Sequence, residues 1–168
     1  SIIVAFSVLA VALQKEFATS SAAIMLTMTI TYLVNNFTNP LVGAAMDRYS
    51  LRKVLLAGAV CLAVGYIALS FATSIIHVYV VFGVLLAMAN AIMGPLSYTT
   101  LLPRWFVRLR ARATGITALG YSIGGLTLPL ILHFLIASFG WRDAVRIFAA
   151  IVIMVVIPLI AFLIIDRP

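Results

Sequence analysis

Charge is what this sequence has least of. Only 9% of its 168 residues are Asp, Glu, Lys or Arg, and just 4 residues are acidic. A soluble domain carries about 25% charged residues, so this composition excludes an ordinary water-exposed surface. With 65% hydrophobic residues and a mean hydropathy of +1.24, the chain is predicted to have lipid as its main solvent.

Cysteine is almost absent as well, because Cys61 is the single one, and this excludes an internal disulfide framework. The opening run of residues 1–13 has no basic residues before it and no small-residue cleavage site. We therefore expect insertion through the spans themselves rather than through a removable leader. The net charge of +7 comes from short basic clusters without an aromatic-rich polar surface, so we expect no nucleic-acid partner.

Long apolar runs make up most of what is present. A helix needs about 20 apolar residues to cross a bilayer, and residues 1–13 would form a helix only about 20 Å long. We interpret them as part of a first helix whose beginning is missing. Since the runs lack the alternation of barrel strands, we predict an all-α membrane protein, a six-helix bundle forming one unit over residues 1–168. The full-length predicted spans are 21–46, 54–73, 78–102, 114–137 and 144–165.

The basic residues predict the orientation. Lys and Arg collect in cytoplasmic loops, so the loops at 47–53 and 103–113 should be cytoplasmic, in a multi-pass protein of the plasma or inner membrane. The residues on that side are Arg48, Arg52, Lys53, Arg104, Arg108, Arg110, Arg112 and Arg167, against Lys15, Arg142 and Arg146 on the other.

The best functional clue is the charged segment GAAMDRYSLRK, residues 43–53, between the second and third spans. The positive-inside rule is sufficient for its bases but explains Asp47 poorly. Gly43, one turn earlier, would let another helix approach. Asp47 could accept hydrogen bonds from Arg52 or from the N–H groups at a neighbouring helix start, a contact that one conformation makes and another breaks.

This segment resembles the signature of the major facilitator superfamily: glycine, three residues, aspartate, a base, then glycine and two bases. Ser50 stands where that family usually has its second glycine. The later segments PRWFVRLRARATGITALGYSIGG and FGWRDAVRIF are similar to the same superfamily, with features of its monocarboxylate and oxalate/formate carriers. The resemblance implies the N-terminal six-helix half of a twelve-span transporter, with a missing C-terminal half as partner. It also implies a conformational gate formed by Gly43, Asp47, Arg48, Arg52 and Lys53.

Polar side chains inside the apolar runs are candidates for lining a solute cavity. On the second span, Tyr32, Asn36, Asn39 and Gly43 share one helical face. The other candidates are Asn90, Ser122 and His133. Packing between helices is an alternative role for each of them, since small and amide residues also join membrane helices. No Lys, Arg, Asp or Glu lies well inside a span, so proton or anion coupling through this half is not evident.

An enzyme is not expected. Gly120, Ser122 and Gly124 match the GxSxG pattern of serine hydrolases, but that elbow needs a strand-to-helix turn and this match lies in a continuous apolar run. The two glycines instead predict a helix-packing face. We expect no catalytic residues, no metal site and no cofactor.

Two hypotheses therefore stand. The first is the N-terminal half of a secondary active transporter that moves a small organic solute, such as a monocarboxylate or similar anion, by alternating access. The second is a truncated, non-transporting membrane scaffold, or a half that assembles with another bundle. The reading frame immediately downstream would discriminate them.

Overall fold

The computed structural model describes residues 2–94 and 110–163, and every regular element in those ranges is a helix, which confirms the predicted all-α class. The first three helices are α1 (Ile2–Phe17), α2 (Ser21–Arg48) and α3 (Leu51–Ser70). Helix α4 comprises Ile75–Val80, Val81–Leu86 and Ala87–Met93. Helix α5 is Arg110–Phe139, and α6 comprises Trp141–Ile151, Val152–Val156 and Ile157–Leu163.

Four of these helices are long and apolar enough to cross a membrane: Leu51–Ser70, Ile75–Met93, Thr114–Phe139 and Trp141–Phe162. Helix α2 has 28 residues, more than any of these four spans, but carries three asparagines within its length. Helix α5 begins at Arg110, inside the predicted loop 103–113, because Arg and Ala favour helix and extend it beyond the apolar run. The rest of that loop, residues 103–109, lies outside the described residues.

Serine side chains cap the N-termini of three helices. Ser20 accepts a hydrogen bond from the Ala23 N–H at 3.3 Å, Ser50 from Lys53 at 3.5 Å and Ser74 from His77 at 3.4 Å. Each bond satisfies one of the N–H groups that the first helical turn leaves open. Between α5 and α6 the chain turns at Gly140, whose φ of 83° lies in the left-handed region that glycine adopts without strain.

Helices α4 and α6 each contain a π-helical stretch, Val81–Leu86 and Val152–Val156. A π turn bonds each N–H one residue further back, which disturbs the regular pairing of nearby carbonyls. Two side chains from other helices donate to carbonyls in this part of α4. Cys61 Sγ lies 3.7 Å from the Leu85 oxygen, and Asn35 Nδ2 lies 3.3 Å from the Ala87 oxygen.

Helix α3 is central: it packs against α4 and α6, while α1 packs against both α2 and α5. The main core joins buried side chains from all of these helices, and the rings of Phe6 and Phe82 meet edge to face at 4.8 Å. Because lipid is as apolar as a side chain, such a core gains stability mainly from close packing and hydrogen bonds.

Three buried glycines let α4 pack closely. An added Cβ would lie 2.5 Å from Ile92 Cγ2 at Gly58, 2.7 Å from Leu86 Cδ2 at Gly65 and 2.5 Å from Ile30 Cγ2 at Gly83. The first two positions join α3 to α4, and the third joins α4 to α2. We call Gly58, Gly65 and Gly83 the packed seam.

Candidate functional site

The bundle has two ends, which we name by their charged residues. The Asp47 end holds the α2–α3 connection and the last turns of α4, which meet in a small core of Val42, Met46, Val54 and Ala91. The Arg142 end holds the α1–α2, α3–α4 and α5–α6 connections.

At the Asp47 end, only Tyr49 and Ser50 separate α2 from α3. The Tyr49 N–H donates to the Ala45 carbonyl at 2.8 Å and closes α2, while Ser50 caps α3 with φ at −56°. Neither residue has a positive φ. The turn therefore does not require the glycine that the resemblance places at position 50, and a serine at that position gains a cap.

Three of the four charges flanking this turn do not complement the helix dipoles, and only Arg48, in the last turn of α2, does. Asp47 lies in the last turn of α2, where the partial charge is negative, and Arg52 and Lys53 lie in the first turn of α3, where it is positive. All three side chains are exposed. Asp47 and Arg52 each have an interaction within the chain. Since the helix ends disfavour the signs of these three charges, helix stabilisation does not explain Asp47, Arg52 or Lys53.

Gly43 lies half-buried one turn before Asp47, and an added Cβ there would meet nothing within 4 Å in the described part of the chain. The helices of the described residues do not approach Gly43 closely, and the approach of a helix from elsewhere stays a prediction. Gly43 faces open space on the same side of α2 as Asp47.

The polar stripe predicted on α2 lies on the side that this bundle leaves uncovered. Tyr32 is 48% exposed, Asn36 is exposed and Asn39 is half-buried. Their shared face continues through Gly43 to Asp47, because these positions follow one another at helical spacing. The opposite side of α2 carries the fully buried Thr27 and Thr31.

Asn35 is a polar residue that the sequence reasoning missed. Its amide donates to the Ala87 carbonyl of α4 and its oxygen accepts a hydrogen bond from Asn39 Nδ2 at 3.2 Å. Asn35 and Asn36 are adjacent, yet they point about 100° apart around the helix, so one joins helices and the other remains exposed. The spacing of four residues between Asn35 and Asn39 was the sequence feature that could have indicated the hydrogen bond between them.

On α5, Ser122 and His133 are both exposed. Gly120, Ser122 and Gly124 lie within the uninterrupted helix Arg110–Phe139, so this stretch has no strand-to-helix elbow. The predicted packing at Gly120 and Gly124 is not formed in this bundle, since an added Cβ at either would meet nothing within 4 Å among the described residues. Among the described residues, α5 packs mainly on α1 and α6, which leaves this part of the helix uncovered by them.

Asn90 is half-buried on α4, next in sequence to Ala91 of the small core at the Asp47 end. A cavity of about 300 Å³ between α1 and α2 was not predicted. It is mostly apolar, with Ser7, Gln14 and Ser21 as its polar lining, and Gln14 donates to Ser21 at 3.0 Å. The spacing of seven residues between Ser7 and Gln14 could have indicated that both lie on one face of α1.

At the Arg142 end, one arginine joins three helices. Arg142 Nη1 lies 2.7 Å from Glu16 Oε1 of α1, Nη2 donates to the Ala72 carbonyl after α3 at 3.2 Å, and the guanidinium lies 4.7 Å from the Trp141 ring centre. The neighbouring Arg146 pairs within its own helix with Asp143 at 2.9 Å. The sequence placed Arg142 and Arg146 on one side of the membrane but did not predict that Arg142 would connect three helices.

The candidate site therefore consists of amides, hydroxyls and one imidazole along exposed helix faces, with a charged cluster at one end. Such groups can bind a polar solute by hydrogen bonds and can pair with a second bundle. Together with the long apolar helices, they are the features expected of an integral membrane protein that binds a solute or a second bundle.

The chain belongs to the Major Facilitator Superfamily, whose sequence profile matches residues 1–168. It is similar to Monocarboxylate transporter 11 of Mus musculus, with 29% identity over 139 residues, 83% of this chain and 31% of the relative. It is also similar to Monocarboxylate transporter 6 of Mus musculus, with 26% identity over 141 residues, 84% of this chain and 30% of the relative. An MFS-type transporter of Gibberella moniliformis is 33% identical over 114 residues, 67% of this chain and 27% of the relative.

The predicted family and its transporter character, as opposed to an enzyme, are thus confirmed. The matches cover less than a third of the length of these curated relatives.

Proposed function

We propose that this chain forms the N-terminal half of a secondary active transporter that moves a small organic solute by alternating access, with monocarboxylates as the first class to test. A missing C-terminal six-helix half would be its partner in the bilayer. The observation that carries this proposal is the exposed polar face of α2, which runs from Tyr32 to Asp47 without a covering helix among the described residues.

An exposed amide face is costly in lipid, because hydrocarbon offers no hydrogen bonds. It needs either water or protein against it. Asn36 and Asn39 on α2, with Ser122 and His133 on α5, would supply hydrogen bonds to a solute in a shared aqueous cavity. Asn90 on α4 completes the proposed lining. Helix α1, which packs against both α2 and α5, would lie between the two polar faces.

In the same proposal, Gly43 and Asp47 with the nearby bases Arg48, Arg52 and Lys53 form the conformational gate. Gly43 has room for a helix from the partner half, and the charges of Asp47, Arg52 and Lys53 are unsuited to the dipoles of their own helix ends. Contacts with the partner half would close the Asp47 end and favour the outward-open state. This end would be cytoplasmic in the plasma or inner membrane, as the excess of bases there favours.

The test is solute uptake by cells that express the full-length protein, with a panel of monocarboxylates, dicarboxylates and neutral solutes of similar size. Asp47→Asn keeps the shape of the side chain and removes its charge. We expect it to lower uptake about tenfold or more, since a charge-assisted hydrogen bond contributes about 1.5–3 kcal/mol.

Asp143→Asn is the matched control, because Asp143 forms an exposed pair at the opposite end of the bundle. That control should change uptake by less than about twofold. If Asp47→Asn left both uptake and the balance of inward and outward states unchanged, the gate and the transporter proposal would lose their support.

A further inference from the structure

A hydrogen bond joins α4 to α2 near the Arg142 end. The Tyr79 hydroxyl of α4 donates to the Ala23 carbonyl in the first turn of α2 at 2.8 Å. Tyr79 is half-buried. Its partner is a main-chain oxygen that already belongs to the helical ladder of α2.

The Ala23 carbonyl oxygen is also the expected acceptor for the hydroxyl of Thr27. A threonine inside a helix commonly donates its hydroxyl to the carbonyl four residues earlier. Several threonines of this chain do so, at 2.7 to 3.4 Å: Thr29, Thr31, Thr38 and Thr127.

Thr27 departs from that pattern. It is 0% exposed, and its Oγ1 has no hydrogen-bond partner in the part of the chain that the structure describes. A buried hydroxyl without a partner is unfavourable. The carbonyl four residues before it is the one that Tyr79 occupies.

We propose that Tyr79 and Thr27 exchange on the Ala23 carbonyl, which makes the α2–α4 junction a two-position switch. In the docked position, Tyr79 holds the two helices together and Thr27 is unsatisfied. In the released position, Tyr79 turns to interfacial water or lipid headgroups and Thr27 donates to Ala23. The number of bonds to that carbonyl is the same in both positions.

Such an exchange lowers the cost of separating α4 from α2 at this end. The glycine contact of Gly83 with Ile30 and the bond from Asn35 to Ala87 lie further along the same interface and can hold the rest of the two helices together. Opening is thereby confined to the first turns of α2 and α4. This inference rests on the proposed alternating access, because a local opening at one end is useful to a protein that exposes its two ends in turn.

The test is a distance measurement in the full-length transporter. Spin labels are placed on cysteines at the exposed positions Ala22 and Ile76, in a background with Cys61 and any other native cysteines replaced. Double electron–electron resonance then gives the ratio of docked to released populations. Tyr79→Phe should shift this ratio toward the released position and Thr27→Val toward the docked position, each by roughly three- to tenfold.

Shifts in opposite directions are the expected result, with Thr27→Ser restoring the parental ratio because it keeps a hydroxyl. Thr31→Val is the matched control, since Thr31 is equally buried but already bonded to the Thr27 carbonyl at 2.7 Å. It should leave the ratio unchanged. Shifts in the same direction, or no shift with either variant, would overturn the switch.

Uptake by Asp47→Asn, measured in the same background, separates the two proposals. If Asp47→Asn impairs uptake and the distance populations do not respond as expected, the switch alone fails. If the populations respond and Asp47→Asn has no effect on uptake or on the inward and outward balance, the proposed transporter gate fails and the switch stands.

Discussion

The packed seam and the uncovered side of the bundle use the same residue type in opposite ways. At Gly58, Gly65 and Gly83, a neighbouring side chain occupies the space that a Cβ would need. On the other side, Gly43, Gly120, Gly124 and Gly125 have nothing within 4 Å in the described structure, and we call these four the open face. Glycine in the seam serves the packing of this chain, whereas glycine on the open face has no role inside it.

The largest expected effect on stability comes from filling the seam. Gly58→Ala puts a methyl group 2.5 Å from Ile92 Cγ2 and 2.9 Å from Ile92 Cβ. The backbone fixes Cβ, and Cγ2 cannot move away easily because isoleucine in a helix strongly prefers one χ1 rotamer. Overpacking costs about 1–3 kcal/mol, more than the gain of up to about 1 kcal/mol from replacing glycine in a helix. We expect a lower apparent Tm of the purified full-length protein in detergent.

Gly124→Ala is the matched control on the open face. With no neighbour to displace, it should leave Tm unchanged or raise it slightly. Equal losses of Tm in Gly58→Ala and Gly124→Ala would remove the distinction between the seam and the open face.

A smaller effect is expected at the Arg142 end, where Arg142 joins α1, α3 and α6. Arg142→Ala removes the pair with Glu16, the bond to Ala72 and the contact with Trp141. The Arg142 side chain is 41% exposed, which weakens the ion pair through solvent screening. We therefore expect a loss of about 1 kcal/mol, measured as a shift in the denaturation midpoint.

Arg146→Ala is the control for the contacts of Arg142. In the described residues, the ion pair of Arg146 is with Asp143 of its own helix, α6. Its guanidinium also lies 5.6 Å from the centre of the Phe71 ring. Arg146→Ala should cost less than Arg142→Ala. A larger loss for Arg146→Ala would contradict the assignment of Arg142 as the joining residue.

The smallest effect is expected at the α2–α3 turn. Ser50→Ala removes a cap whose bond of 3.5 Å is long, so the loss should be at the low end of the usual range, about 0.5 kcal/mol. Ser50→Gly should cost only a few tenths of a kcal/mol, because glycine also tolerates the cap position. If Ser50→Gly cost more than Ser50→Ala in a thermal melt, the turn would depend on the serine in some way other than capping.

Much of the fold could be predicted because apolar run length and charged interruptions are local properties of the sequence. The helical class, the family and the position of the charged turn all followed from such features. The seam could not be predicted, since nothing in the sequence separates Gly58 from Gly124 until the neighbouring helix is known. The Glu16 to Arg142 pair joins residues 126 positions apart.

The candidate site could likewise be predicted only in part. Helical spacing predicted that Tyr32, Asn36 and Asn39 share a face, but could not say that Asn35 joins α4 while Asn36 stays exposed. Gly120 and Gly124 have no packing partner among the described residues, so the packing face expected there stays a prediction. Small residues on a membrane helix indicate that something approaches, and the sequence does not say whether the partner is inside the chain.

The most direct test of the account is a leucine on the open face. In the full-length protein, Gly124→Leu should leave Tm within experimental error and lower uptake of the transported solute more than tenfold, because the added side chain would fill space that the solute needs. Ala150→Leu, an equivalent change at an exposed position of α6, should leave both unchanged. Full uptake by Gly124→Leu would contradict the proposal that the uncovered side of α5, with Ser122 and His133, lines the solute cavity.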